Sequence, residues 1–440
     1  MRRRSVLTSG LTLGAGLALG GIGKLRADTA TSGKLAIWLG YGETAPTYQL
    51  AMPAFKQLYP NVQVELLTFD LREFEAKLAV AVPTGTGPDL LALHDFLFPR
   101  YYESGSLDAV PSDLAAVAGD AKVFDPTFTT LVTRDGKPWG VPWWTGRSAL
   151  FYNLDQFKEA GLSGPPQTIA QLWEYSEKLA RRGADGNLTR AGISLRLTEP
   201  SGGIQKFGYF YYQMTGQQIF EPGKQPGMVR VTLKDNLDIA TQALLDHVEH
   251  LHGPKKVDDW ALKHDAQGFA NGAAAMFFRE AWVIPFVRKN GPDIHMGVAP
   301  MPRDKAWGAF NLVEILSVNK DSPLKKAAWD LIRLLQEQKY LDNLLETSGW
   351  IPLRKDRDFS GFLAKNPEYR ALMEEPAGYK QYVEAPDTAY QEVTARTGEV
   401  ILAAYRDASL LGNRDAARKV ILKAHDTAVP ILKDAGIYEA

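Results

Sequence analysis

The sequence predicts an α/β protein built as two lobes, and three observations carry that expectation. Strand and helix patterns alternate through residues 35–93. The chain has 440 residues, too many for one hydrophobic core. The stretch DGKPWGVPWWTGRSALFYN, Asp135 to Asn153, is stiff and extended and carries an awkward tryptophan pair. Pro138 and Pro142 fix φ and push the residues before them toward extended conformations, so no helix is expected before about Ser148. Neighbouring residues of an extended chain point to opposite sides, so Trp143 and Trp144 need two destinations. A crossing between lobes supplies them, with one ring packed and one lining a cleft.

The elements follow in order. Leu35–Leu39 reads as a short buried strand and Gly40–Glu43 as a loop. Leu50, Phe55 and Leu58 suit a helix over Tyr48–Leu58, ended by Tyr59-Pro60-Asn61. Val62, Val64 and Leu66 alternate with polar residues, the period of a strand. Leu71, Phe74, Leu78 and Val82 mark a second helix, stopped by Pro83, and after the turn Thr84–Pro88 comes a third strand, Asp89–Leu93. That order implies parallel strands with right-handed crossovers.

Asp135-Gly136 is a tight turn. Thr168 and Gln171 form a capping box before a helix with Ile169, Leu172 and Leu179 on its apolar face. Gly183–Asn187 is a surface turn, residues 204–220 are rich in aromatics, and Leu237–Leu251 is helical. Phe269–Gly272 leads into a strand, Ala273–Phe278. Ser322 as N-cap and Pro323 at the first helical position predict one long helix ended by Gly349. The last ninety residues read as helices.

Residues 1–27 stand apart. Arg2-Arg3-Arg4 precedes a Gly/Ala/Leu-rich run, then Lys24-Leu25-Arg26-Ala27. A basic start, an apolar run and a small residue at the cut describe a twin-arginine signal peptide, cleaved after Ala27, for a protein exported to the periplasm, with an N-terminal membrane anchor as the alternative. The segment holds five Lys and Arg and no acid, so without it the formal net charge of −1 becomes −6. Such a chain offers no footprint for nucleic acid. The absence of Cys excludes disulfides, thiolate metal sites and a Cys nucleophile.

Catalytic signatures are absent: no G-x-S-x-G elbow, Walker A loop or H-E-x-x-H occurs. Two other patterns are worth placing. His247, His250 and His252 sit near a helix end, where His247 and His250 share a face; that is a conceivable metal site or a solvated helix end. Tyr101-Tyr102 and Tyr211-Tyr212 offer phenolates to an iron site, or simply packing.

Four blocks carry a family resemblance. The first is FKQLYPNVQVELL, GTGPDLLALHDF and YYESGSLDAV, from Phe55 to Asp108. The second is the Asp135–Asn153 stretch followed by FKEAGLSGPPQTIAQLWEYSEKLA. The third is FANGAAAMFFREAW, ending at Trp282, with GVAPMP. The fourth is the helix of residues 324–354 with SGWIPLR. In this order they resemble the extracellular solute-binding proteins of ABC importers, carbohydrate-binding family 1 (maltose-binding-protein-like). The resemblance implies a two-lobed periplasmic-binding-protein fold closing on a ligand like a hinged trap. Its lobes would be residues 34–142 with 298–345, and 146–296 with 350–440, with Val141-Pro142 at the first crossing. It implies a monomer that binds a sugar without chemistry or cofactor and delivers it to membrane permease subunits.

Position within the blocks implies ligand-binding roles for Tyr41 and Glu43 after the first strand, and for His94 and Asp95 after the third. Trp143, Trp144 and Arg147 follow the crossing, Arg279 and Trp282 close the third block, and Trp350 and Arg354 follow the long helix. Trp282 matches the family's recurrent stacking aromatic. Arg279 and Glu280 depart from the small residue or Asn common there. An indole packs on the C–H face of a pyranose, and carboxylates, Arg and His orient its hydroxyls. If two or more of Arg147, Arg279 and Arg354 face the cleft, an anionic sugar becomes the expected ligand. The alternatives are an exported glycan-active enzyme and, more remotely, a metal or iron carrier.

Overall fold

The computed structural model describes residues 25–225, 227–258, 262, 264–383 and 388–440. The basic and apolar parts of the expected signal peptide, residues 1–24, lie outside the described residues. Among the described residues no helix is long and apolar enough to cross a membrane.

The first part of the chain folds as its pattern predicts: β1 (Ser32–Leu39), α1 (Ala45–Leu58), β2 (Asn61–Thr68), α2 (Leu71–Ala81) and β3 (Leu90–His94). β1 runs parallel to both β2 and β3. Asp135 and Gly136 take positive φ (51° and 71°) and join two short antiparallel strands, which is why a residue without a side chain stands at the second position. β4 (Val141–Arg147) enters the same sheet, and β5 (Ala149–Asn153) leaves it.

Beyond the crossing lie α3 (Ile169–Leu179), α4 (Pro200–Thr215), α5 (Leu237–His252), α6 (Asp265–Ala270), β6 (Met276–Arg279), α7 (Val283–Asn290) and β7 (Met296–Ala299). The chain returns through β8 (Gly308–Val318) into α8 (Lys325–Leu335), α9 (Gln338–Ser348), β9 (Ile351–Pro352), β10 (Lys380–Tyr382), α10 (Tyr390–Tyr405) and α11 (Arg414–Asp434). Among the described residues, one sheet has the order β9-β4-β8-β3-β1-β2 with β10 on the start of β8, and a second has the order β6-β5-β7.

The apolar side chains gather accordingly. One core joins residues of β1–β4 to Val313–Leu353, and includes Trp143, Trp144 and Trp350. Two others lie beyond the crossing, one built around α3, α4, α5, α10 and α11, the other around β5, β6, α6 and α7. This is the two-lobed periplasmic-binding-protein fold.

The crossing lies further along than the proline pair suggested. Val141 and Pro142 face Leu316 and Ile315 of β8 within the first sheet, and the chain changes sheets at Ser148. Ser148 ties the two crossing strands together. Its N–H donates to the Phe310 carbonyl (2.9 Å), and its Oγ accepts from the Phe310 N–H (3.0 Å).

Three local expectations are corrected. The helix from Ser322 to Gly349 is two helices. The Gln336 and Glu337 amides turn back to the carbonyls of Arg333 and Leu334, and Glu337 is extended with ψ 147°. Leu324, not Ser322, is the residue before the first of them; the Ser322 hydroxyl accepts from the Leu324 N–H (3.0 Å) and donates to Asp89 at the end of the turn before β3 (2.5 Å). At the capping box, Thr168 Oγ1 accepts from the Gln171 N–H as expected, but the Gln171 side chain bonds the Gln167 N–H rather than that of Thr168. Gly349 does end the second helix, at φ 81°.

Candidate ligand-binding cleft

A cavity of about 1180 Å³ opens between the lobes. One wall is built from the loop after β1, from α2, from Phe96 after β3, and from Trp350. The other comes from the start of α4, the end of β6, α7 and α10. Phe310 and Leu312 of β8 also line it.

Tyr41, Glu43, Arg279, Trp282 and Trp350 all line this cavity, so the structure brings together residues from three separate blocks of sequence. Trp350 is wedged beside Trp144, the rings stacked at 4.4 Å, and Tyr41 meets both edge-on at 5.2 Å. Room for that wedge depends on Gly146, where a Cβ would stand 2.5 Å from the Trp350 ring. The Trp350 indole N–H donates to Glu43 (3.1 Å). Glu43 is exposed to cleft solvent yet crowded by protein, and this crowding raises its carboxyl above the usual range.

The other expected residues stand back from the cavity. His94 and Asp95 are buried at the end of β3. His94 packs against Tyr41 at 4.7 Å, and burial pushes its pKa down to about 3, so it is a neutral ring supporting the wall. Asp95 accepts backbone hydrogen bonds, and burial pushes it up to about 7. Trp143 and Trp144 do point to opposite sides, but β4 is sandwiched between β9 and β8 and covered on both faces. Trp143 meets Tyr48 of α1 at 5.2 Å, while Trp144 lies behind Trp350 and Tyr41. Arg147 is buried beside the crossing and donates to Glu375 (3.0 Å). Arg354 makes a two-pronged contact with Asp356 (2.7 Å each) and sits over Phe124. Neither guanidinium group lines the cavity.

Several lining residues escaped the sequence reading. Arg72 and Glu75 of α2 face the cavity and bond each other through both carboxylate oxygens (3.0 and 2.8 Å). Arg196 pairs with Glu199 just before α4. Phe96 stacks on Tyr390 of α10 at 4.8 Å, bridging the two walls. The only sequence signals were the charge pairs spaced three apart, which do not say which face of a helix meets a cleft.

The end of β6 holds a compact charge cluster. Arg279 lies 3.4 Å from Asp265 and 3.7 Å from Glu280. Lys206 of α4 is buried nearby, bonded to the Phe278 carbonyl, and burial pushes its pKa down to about 7. Burial works against the charges of Asp265 and Glu280, but Arg279, Lys206 and Arg196 outweigh it and hold both carboxyls below their usual range.

The histidine and tyrosine clusters have ordinary packing partners. His247 and His250 each donate a ring N–H to a carbonyl a turn earlier in α5, and both pack on Trp173. Tyr101 is buried in the first core, while Tyr211 bonds Thr232 and Tyr212 stacks on Tyr382. Among the described residues no group of three or more His, Asp or Glu could hold a metal ion.

With this geometry in place, comparison with known families is decisive. Residues 51–371 match the family model described as bacterial extracellular solute-binding protein. The chain belongs to that family. Among relatives of this solute-binding protein, the maltotriose-binding protein of Pyrococcus abyssi is 23% identical over 337 residues, covering 73% of this chain and 67% of the relative. The arabinooligosaccharide-binding protein of Halalkalibacterium halodurans is 24% identical over 288 residues, 64% of this chain and 60% of the relative. In structure, the solute-binding protein is similar to an ABC transporter solute-binding protein of Thermotoga lettingae bound to α-D-tagatose. That likeness has TM-score 0.74 and 22% identity, and covers 91% of this chain and all of the other. The GacH receptor of Streptomyces glaucescens, solved unliganded and with acarbose, gives TM-score 0.73 at 20% identity, covering 93% and 100%. At these identities the structural likeness speaks for the fold.

Proposed function

We propose that this protein binds an uncharged sugar of more than one ring in the interlobe cleft and delivers it to the permease subunits of an ABC importer. The observation that carries the proposal is the lining itself: aromatic rings on both walls, interspersed with arginines that already face carboxylates. Rings such as Trp282 and Trp350 suit the apolar faces of pyranoses, and the carboxylates and guanidinium groups between them suit hydroxyls. A volume of about 1180 Å³ exceeds the ~300–1,000 Å³ of typical small-molecule pockets, which favours more than a monosaccharide. The maltotriose- and arabinooligosaccharide-binding relatives support the same reading, whereas the tagatose-bound neighbour supports a sugar but not more than one ring.

The pairing argues against an anionic sugar. Of Arg147, Arg279 and Arg354, only Arg279 lines the cavity, and Asp265 and Glu280 flank it. Arg72 and Arg196 are engaged by Glu75 and Glu199. A guanidinium fork already facing a carboxylate has little to offer a second one.

In this reading the lobe boundaries shift from those the sequence suggested: one lobe is built around the sheet of β1–β4, β8 and β9, the other around that of β5–β7, and they meet at Ser148 and Phe310. Residues 1–27 act as a cleaved twin-arginine signal, and the exported protein works in the periplasm as a monomer without a cofactor. Isothermal titration with neutral mono-, di- and trisaccharides and their uronic-acid counterparts tests the proposal, with chromatography of the recovered sugar. A neutral oligosaccharide bound and recovered unchanged is expected. Exclusive binding of the uronates sinks the uncharged ligand, and cleavage of the sugar favours the glycan-active enzyme.

A further inference from the structure

Trp282 lines the cavity and is only half-buried, so an unsupported indole there could adopt several orientations. Its surroundings do not leave it that freedom. The indole N–H donates to Glu280 (3.2 Å), and the Arg279 guanidinium lies 5.0 Å from the ring centre. Arg279 and Glu280 are themselves fixed. Both are more than nine-tenths buried. Asp265 holds Arg279 from α6, and the Tyr209 hydroxyl reaches Glu280 from α4 (3.4 Å). Behind them Lys206 is bonded to the carbonyl of Phe278, one residue before Arg279. The cluster therefore joins α4, α6 and the end of β6 beneath a single exposed ring.

We propose that Arg279 and Glu280 are positioning residues that clamp Trp282 into a fixed, one-sided platform for the ligand. Arg279 lies against the ring, so a sugar packs on the face that the guanidinium leaves free. Glu280 takes up the indole N–H, so Trp282 offers the ligand carbon surface and no hydrogen-bond donor. Fixing the ring before the ligand arrives removes an ordering cost from binding. The stacking half of this inference rests on the sugar-binding reading; the clamp itself does not.

The test uses the full-length protein labelled with ¹⁵N-tryptophan. The indole N–H signal of Trp282 is the one lost in Trp282→Phe. In Glu280→Gln, with unchanged circular dichroism, that signal moves upfield and its hydrogen exchange quickens, because a charge-assisted bond is replaced by a neutral one. Affinity for the best-bound member of a panel of maltose, cellobiose, lactose and mannobiose falls about tenfold. Arg279→Lys keeps the charge, loses the flat contact, and is expected to shift the same signal with a smaller loss of affinity. An indole signal unmoved in both variants overturns the clamp. A signal that moves while affinity stays the same overturns its role in binding. A wild-type protein that binds no sugar of the panel overturns the sugar reading and the stacking role, and leaves the clamp to be decided by the indole signal.

Discussion

Behind the first wall of the cleft, Glu314 and Asp95 lie buried with no Arg or Lys paired to them among the described residues. Burial pushes both carboxyls up, Asp95 to about 7 and Glu314 well above its usual range. On the second wall, Asp265 and Glu280 are buried too, but the surrounding cations hold both carboxyls down. The difference shows two ways to place polar groups under a binding surface. The first wall leaves these two buried acids without a cation and is held there by packed rings. The second keeps its acids ionised and is held by opposed charges. The contrast predicts opposite responses to pH and to truncation.

Trp144→Ala should have the largest effect. It removes a fully buried ring that supports Trp350 and Tyr41, and the expected loss is about 3–5 kcal/mol in urea unfolding. That loss should be nearly the same at pH 5 and pH 8, which marks the first wall as held by packing. Arg279→Met should come next, at roughly 3 kcal/mol near pH 7, because it leaves Asp265 and Glu280 buried beside fewer cations. Those two carboxyls have lowered folded pKa values, so their stabilising contribution exists above the unfolded pKa and disappears as pH falls through the folded one. The deficit of the variant should therefore shrink in acid. A deficit independent of pH would place the second wall under packing control as well.

Asp95→Asn should act in the opposite direction. The folded pKa of Asp95 is raised from 3.8 to about 7, so the native state is favoured below pH 4 and loses that advantage as pH rises through 7. The substitution should stabilise the protein at pH 8 by about 4 kcal/mol relative to its effect at pH 4. Equal effects at both pH values would show that Asp95 stays ionised in the fold. Glu43→Gln should be the mildest for stability, within about 0.5 kcal/mol, since its carboxylate is exposed to the cleft and pairs with no cation. Its effect should appear instead as a weakening of sugar binding by about 1 kcal/mol, read by titration calorimetry.

The fold was legible where local patterns decide it. Alternating Val62, Val64 and Leu66, the stop at Pro83 and the left-handed Gly349 each act within a few residues, and each element appears close to where it was expected. Of the candidate cleft lining, the sequence pointed to Tyr41, Glu43, the end of β6 and Trp350, while His94 and Asp95, also at a strand end, stand back from it. Trp144 shows the limit. The alternation along β4 separated the two indoles correctly, but no local signal says that Trp350, over two hundred residues later, covers the second one. Arg72 and Arg196 show the converse. They look like solvated helix-end charges until α2 and α4 are set facing one another across a gap. The break at Gln336 and Glu337 likewise comes from backbone turns that the apolar spacing did not signal.

The paired hydrogen bonds between Ser148 and Phe310 have a mechanical consequence. Two strands fastened side by side at one seat cannot slide past each other while those bonds hold, so any widening of the gap must flex both there together. Such a joint favours a change of angle between the halves over a slide. A single ruler is then enough to follow it: one distance between labels on the exposed side chains of Val80 and Leu411, on opposite halves, would track that angle as solute is added.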